Sequence, residues 1–300
     1  MGDFVDFFAA ADPRLALVAL AFHLSNVGLR SLAWRNVLRA AYPDRRVPLL
    51  GIAGSYAAGM ALNSFVPARG GDVAKIGLAR TRIHGSSVTT IASSMGVLSA
   101  FDAVVGGSVI LTLAAFGLLP SPPGLPALPA LPHLLAGQSL AVAAAALVLA
   151  GVAVLAGRRF APRLRSLWAG VRRGFAIFGS PRRYATEVVP VQLAAWGCRM
   201  GTAYFLLAAL HVPATLSAAA IVVMVGGLST LVPTPGGVGT QQVMLAYLLH
   251  TTASTATIVS FSIGMQAAVT TLNVLLGMTA AMLMLRTASP AGAIRSLRNR

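Results

Sequence analysis

The sequence predicts an all-α polytopic membrane protein: an inverted-topology repeat with two broken or re-entrant helical hairpins. Three observations carry this. Hydrophobic residues make up 56% of the 300 residues and charged ones 10%, with a mean hydropathy of +0.77. A soluble domain carries about 25% charge, so this chain cannot cover its own surface with charged groups. Apolar stretches recur at close to the roughly 20 residues needed to cross a bilayer. Two Pro–Gly interruptions, Val66-Pro67-x-x-Gly70-Gly71 and Val232-Pro233-x-x-Gly236-Gly237, stand 166 positions apart. The composition excludes an ordinary cytosolic enzyme, a secreted disulfide scaffold and a disordered tail. The single cysteine, Cys198, permits no internal disulfide and no cysteine zinc cluster.

The elements follow in order. Residues 1–13 carry Asp3, Asp6 and Asp12 and no basic residue, the reverse of a signal-peptide n-region, so no cleavable signal is expected. Apolar runs at 15–34, 86–119, 137–156, 188–210 and 254–286 read as spans. The run 47–66 breaks into Asn63-Ser64-Phe65-Val66-Pro67-Ala68-Arg69-Gly70-Gly71-Asp72, and 216–234 breaks into Pro233-Thr234-Pro235-Gly236-Gly237-Val238-Gly239 before the short run 240–249. Proline removes a donor and glycine loosens the helix, so each helix should break at membrane depth. Each hairpin reads either as re-entrant or as two short crossing helices. The Pro-rich stretch 120–136 reads as an external linker. The segment 158–186 sets paired arginines among aromatic and aliphatic residues. It reads as an amphipathic helix on the inner leaflet or as a solvated basic loop.

The net charge of +16 is written as membrane topology, not as a nucleic-acid face. Basic residues fill 35–46, 69–82, 158–183 and 286–300, whereas 120–136, 211–216 and 250–255 have none. With basic loops cytoplasmic, the N-terminus lies outside and 15–34 runs inward. The first hairpin dips in from the cytoplasm, 86–119 runs outward, 137–156 inward and 188–210 outward. The second hairpin dips in from outside and 254–286 returns. Span–hairpin–span thus occurs twice in opposite senses, a construction common in transporters. The expected organisation is one transmembrane domain, 1–300. Repeat one spans about 12–119, a connecting span and basic segment 120–187, and repeat two about 188–286.

An ionisable group inside a bilayer is costly and points to function. Three stand in spans: Arg30, Asp102 and Arg199. Asp102 is expected to pair with Arg30 or Arg199, since an unpaired buried charge is expensive. At the first break the candidates for holding a ligand are Asn63, Arg69, Gly70, Gly71, Asp72 and Lys75. Asp72 and Lys75 lie three apart on one helix face, and Asp72 alternatively caps the helix. At the second break they are Pro235, Gly236, Gly237, Gly239 and Gln242. Glycines let backbone approach a ligand, and a helix N-terminus offers N–H donors to an anion. A phosphate head group fits both. No HExxH, phosphate-loop or GxSxG motif is present, and His23, His84, His133, His211 and His250 are scattered. No enzymatic activity, no metal and no cofactor is expected.

Arg30…Trp34-Arg35-x-x-Leu38, Asn63-Ser64-x-x-Pro67-x-x-x-Gly71-Asp72 and Pro233-x-Pro235-Gly236-Gly237-x-Gly239 together resemble the lysylphosphatidylglycerol synthase transmembrane region, or flippase-like domain family, over about residues 12–286. In relatives this membrane domain moves aminoacylated phosphatidylglycerol between leaflets while a soluble domain makes the lipid. That soluble domain is not found in this sequence. Some archaeal relatives are linked to dolichol-phosphate sugar transfer. Gln242 stands where the family often has Glu, Leu98-Ser99 where it often has Glu-Arg, and the usual first helix is missing. The resemblance therefore implies lipid handling and leaves aminoacyl-lipid specificity open. It implies translocation of an anionic phospholipid or polyisoprenoid-phosphate-linked lipid across the cell membrane of a bacterium. Membrane lipids, and a separate lipid-modifying enzyme, would be the partners; no nucleic acid is expected. The alternatives are an intramembrane glycosyl- or lipid-transferase, with Asp102 or Asp72 as base, and a scaffold subunit that transports nothing.

Overall fold

A computed structural model describes residues 10–66, 70–118, 166–230, 232, 234 and 237–285. Among them the chain is entirely helical. Helix α1 (Pro13–Ala41) starts where Asp12 accepts the amides of Arg14 and Leu15, with proline in the first turn. It is followed by α2 (Leu49–Asn63), α3 (Gly71–Arg82) and α4 (Val88–Ala115), the last capped by Ser87 accepting from Thr90 N. Helix α5 covers residues 166–174. After a tight turn at Ala176–Gly179 the chain passes Pro181–Arg183 and a widened turn at Tyr184–Val188 into α6 (Val189–Ala209). Then come α7 (Leu216–Ser229), α8 (Thr240–Leu248) and α9 (Thr255–Leu285). Long–short–short–long therefore occurs twice, with both Pro–Gly interruptions between the short helices. The expected linker 120–136 and connecting span 137–156 lie outside the described residues.

Three described helices are long and apolar enough to cross a membrane: α1, α4 and α9. Helix α6 has 21 residues and so about 30 Å of length, but Gln192, Arg199 and Thr202 dilute its apolar character.

Helices α1 and α6 run antiparallel along their whole lengths. Asp12 N–H donates to Ala209 O at 2.9 Å at one end. Phe22 stacks on Phe205 at 5.4 Å midway. Asn36 Nδ2 donates to Glu187 O at 2.8 Å at the other end. Gly201 makes this approach possible: a Cβ there would stand 2.8 Å from the Phe22 ring. Helices α2 and α9 are likewise antiparallel, Gly54 facing Met284 and Gly277 facing Ala57 and Ala61.

These contacts sort the molecule into two ends. At one end, Arg35 reaches Val47 O, Ser87 N–H donates to Tyr42 Oη, Arg45 donates to His84 O, and Arg82 Nη2 donates to Met284 O at 2.8 Å. The opposite end holds Ala10, Asp12, Ala209 and His211. So α1 and α9 run toward the basic end, whereas α4 and α6 run away from it. The first and last long helices of one repeat are opposed to their counterparts in the other. This is the inverted architecture, and the chain is an all-α polytopic membrane protein.

Two apolar cores form. One gathers Trp34, Leu38, Ile52, Ile83, Ile91 and Ile177 around the first repeat. The other gathers Leu207, Val225, Leu245, Ile258 and Phe261 around the second.

Candidate functional site

A cavity of about 770 Å³ is lined by members of both cores. That lies within the range of roughly 300–1,000 Å³ typical of ligand sites. Its wall contains Asn63, Ser64 and Val66 from the first break and Thr230, Thr234 and Gly237 from the second. The two interruptions thus border one space. Polar groups reach it in stripes of helical spacing: His23, Asn26 and Arg30 from α1, Ser99 and Asp102 from α4, Trp196, Arg199 and Thr202 from α6, and Gln266, Thr270 and Asn273 from α9. Apolar wall comes from Ile110, Val222, Val223, Met265 and Val269.

Charge is organised around Asp102. Arg30 grips it in a fork, Nη2 to Oδ2 at 2.7 Å and Nη1 to Oδ1 at 3.0 Å. A guanidinium presents parallel donors matching a carboxylate, which is why such pairs are strong and directional. Trp196 Nε1 also donates to Oδ1, at 2.9 Å. The Arg30 Nε–H goes to Tyr56 Oη at 2.8 Å. Arg199 lies over the Trp196 ring, 4.8 Å from its centroid, and makes no ion pair with a described carboxylate. It is a cation presented to the cavity by an apolar helix.

The first break continues this network. Lys75, 4% exposed, holds Asp72 at 2.9 Å and sits 4.3 Å above the Tyr56 ring. Asn63 Nδ2 donates to the same Asp72 oxygen at 3.1 Å. Asp72 thus ties the two arms of the hairpin; it lies in the first turn of its helix, whose N-cap position is Gly70. Gly71 is set by close approach: a Cβ would stand 2.2 Å from Gly59 O and 2.6 Å from Asn63 N. Gly70 precedes it as the first residue of the turn into α3. Arg69 lies outside the described residues, as do Pro235 and Gly236.

At the second break, Gly237 has φ +76° and Gly239 φ +83°, conformations that favour glycine. Gly237 N–H donates to Thr234 O, and Gly239 N–H donates to Gln242 Oε1 at 2.7 Å. Both amides are used inside the turn and not presented to the cavity. Gln242 Nε2 also donates to Gln266 at 2.8 Å, so Gln242 braces α8 against α9. Its neighbour Gln241, buried, lines the cavity instead.

The structure therefore brings Arg30, Asp102, Arg199, Asn63 and Gly237 to one cavity. It sets Gly71, Asp72 and Lys75 behind the wall and Gly239 and Gln242 in a supporting turn. Sequence reasoning missed Tyr56, Trp196, His23 and Asn273, the last two joined at 2.8 Å. The signal was present as polar residues three or four apart within apolar spans, which is one helix face. Among the described residues no cluster of metal-ligating groups forms.

The family model of the lysylphosphatidylglycerol synthase TM region matches residues 1–277. No curated protein and no solved structure matches the chain.

Proposed function

We propose, from the premise that this chain belongs to the lysylphosphatidylglycerol synthase transmembrane family, that it translocates an anionic phospholipid or polyisoprenoid-phosphate-linked lipid across the cell membrane. The observation that carries this reading is the cavity itself. It is bordered by the breaks of both repeats, has both polar and apolar walls, and receives Arg199, which makes no ion pair with a described carboxylate. A phosphate head group supplies the missing anion, and acyl or prenyl chains lie against Ile110, Val222 and Val269. The two carboxylates an intramembrane transferase would use are engaged, Asp102 by Arg30 and Trp196 and Asp72 by Lys75 and Asn63. That favours carriage over chemistry.

Reconstitution with fluorescently labelled phosphatidylglycerol and with a short-chain prenyl phosphate tests the proposal. Movement of label between leaflets without chemical change supports it. Conversion of the lipid supports a transferase, and neither outcome leaves a scaffold. Arg199→Gln is expected to slow transport tenfold or so, about 1.4 kcal/mol of lost head-group binding, with the protein folded and inserted.

A further inference from the structure

A second surface, away from the cavity, carries its own ligand chemistry. Helix α5 docks on the start of α4 through Gly170 and Gly174. A Cβ would lie 2.9 Å from Thr89 Cβ at the first and 2.8 Å from Thr90 O at the second. Ile177 is fully buried just beyond. This docking fixes which way the opposite face looks. That face presents Trp168, 69% exposed, and Arg172, with exposed Arg173 beside it and exposed Phe178 just beyond the helix. Trp168, Arg172, Arg173, Phe175, Ala176 and Gly179 line one groove. Neither arginine has an ion-pair partner among the described residues. Glu187, the only described acid on the segment from α5 to the start of α6, is taken by Arg183 at 3.1 Å. The groove lies at the end of the molecule where Arg35, Arg45 and Arg82 donate to the backbone carbonyls of Val47, His84 and Met284.

We infer that this groove is a fixed seat for an anionic phospholipid of the leaflet at the basic end. Two adjacent guanidiniums match a phosphodiester bearing no compensating cation. An exposed indole beside them has the amphipathic character that places tryptophan at the head-group level. The glycine at the floor leaves open space: a Cβ at Gly179 would meet nothing within 4 Å. The seat is independent of transport through the cavity, so a chain that moves no lipid can still hold one here.

Trp168 reports on it. Trp34 and Trp196 are buried, so quenching by bilayer bromine falls mainly on Trp168, and a Trp168→Phe variant gives the background. The full chain is reconstituted in zwitterionic bilayers containing a small fraction of acyl-brominated phosphatidylglycerol or, separately, acyl-brominated phosphatidylcholine. Half-quenching is expected at a fraction about fivefold lower for phosphatidylglycerol, the equivalent of one well-placed basic residue. The Arg172→Gln/Arg173→Gln variant should bring the two lipids together, whereas Arg46→Gln, at an exposed position elsewhere on the basic end, should not. If the double variant does not fold, each single change should remove part of the preference. Equal quenching by both lipids, equal loss in Arg46→Gln, or no quenching of Trp168 by either lipid overturns the inference.

Discussion

Trp196 and Arg30 hold the same oxygen of Asp102, the indole at 2.9 Å and the guanidinium at 3.0 Å. They stand 166 positions apart, the offset that also relates the two Pro–Gly motifs. Matching positions on the antiparallel α1 and α6 therefore close on one acid carried by α4. The ion pair lies within repeat one, the Trp196 hydrogen bond fastens it to repeat two, and all three side chains form part of the cavity wall.

Asp102→Asn should destabilise the protein by up to about 3 kcal/mol, because it strips a largely buried wall position of the charge that neutralises Arg30. The fall should appear as a lower midpoint of thermal unfolding in detergent. Adding Arg30→Met should recover part of it and adding Arg199→Met should not, since Arg30 alone makes the fork. Equal rescue by both would refute the assignment of the pair. Trp196→Phe keeps an aromatic ring but loses one hydrogen bond to a charged acceptor and part of the buried indole volume, at a cost of about 2 kcal/mol or more.

Glycines at the first hairpin should divide sharply. Gly71→Ala and Gly59→Ala put a methyl within 2.8 Å of backbone carbonyls across the arms, so each should cost about 2 kcal/mol or more by overpacking. Gly77→Ala meets nothing within 4 Å. It should be neutral or stabilising by up to about 1 kcal/mol through helix propensity. Thermal midpoints of the three variants, measured side by side, check the order.

At the second break the two positive-φ glycines separate strain from crowding. Gly239→Ala has open space and should cost about 1–3 kcal/mol from backbone conformation alone. Gly237→Ala adds a methyl 2.8 Å from Ser229 Oγ and should cost more. Because Gly237 lines the cavity and Gly239 does not, only the former should also impair lipid movement. Similar transport by both variants would detach this turn from the pathway.

Lys75 and Asp72 should behave as one unit. In a double-mutant cycle of Lys75→Met and Asp72→Asn, the coupling is expected near 1 kcal/mol or above, the range for contacting charged residues. Additive losses would mean that Lys75 is held chiefly by the Tyr56 ring.

Orientation can be read chemically in a Cys198→Ser background. A cysteine replacing Pro213 should label from outside intact cells. One replacing Asp44 or Arg172 should label only after permeabilisation. The opposite pattern would invert the chain in the membrane and leave the architecture intact.

Much of the architecture was legible in the chain. Apolar runs of bilayer length set the long helices, and their observed limits fall within a few residues of those runs, apart from α1, which extends seven residues further to Ala41. Proline and glycine placed both interruptions. The scarcity of charge made Arg30, Asp102 and Arg199 conspicuous, because each is expensive in an apolar run. What periodicity could not supply was the partner across helices. That Asp102 takes Arg30 and not Arg199 follows from how α4 meets α1. Asp72 joins the hairpin arms because Asn63 and Lys75 converge on it, and the N-cap position of its helix falls on Gly70. The amides of Gly237 and Gly239, in the turn whose helix start the sequence offered as an anion site, are taken by Thr234 and Gln242 once the turn closes. The cavity too is a product of tertiary structure. Residues from several helices, up to 250 positions apart, as His23 and Asn273 are, face one space only because α1 packs antiparallel to α6 and α2 to α9. Local pattern determines which residues a helix turns to one side. Packing between repeats decides what that side meets.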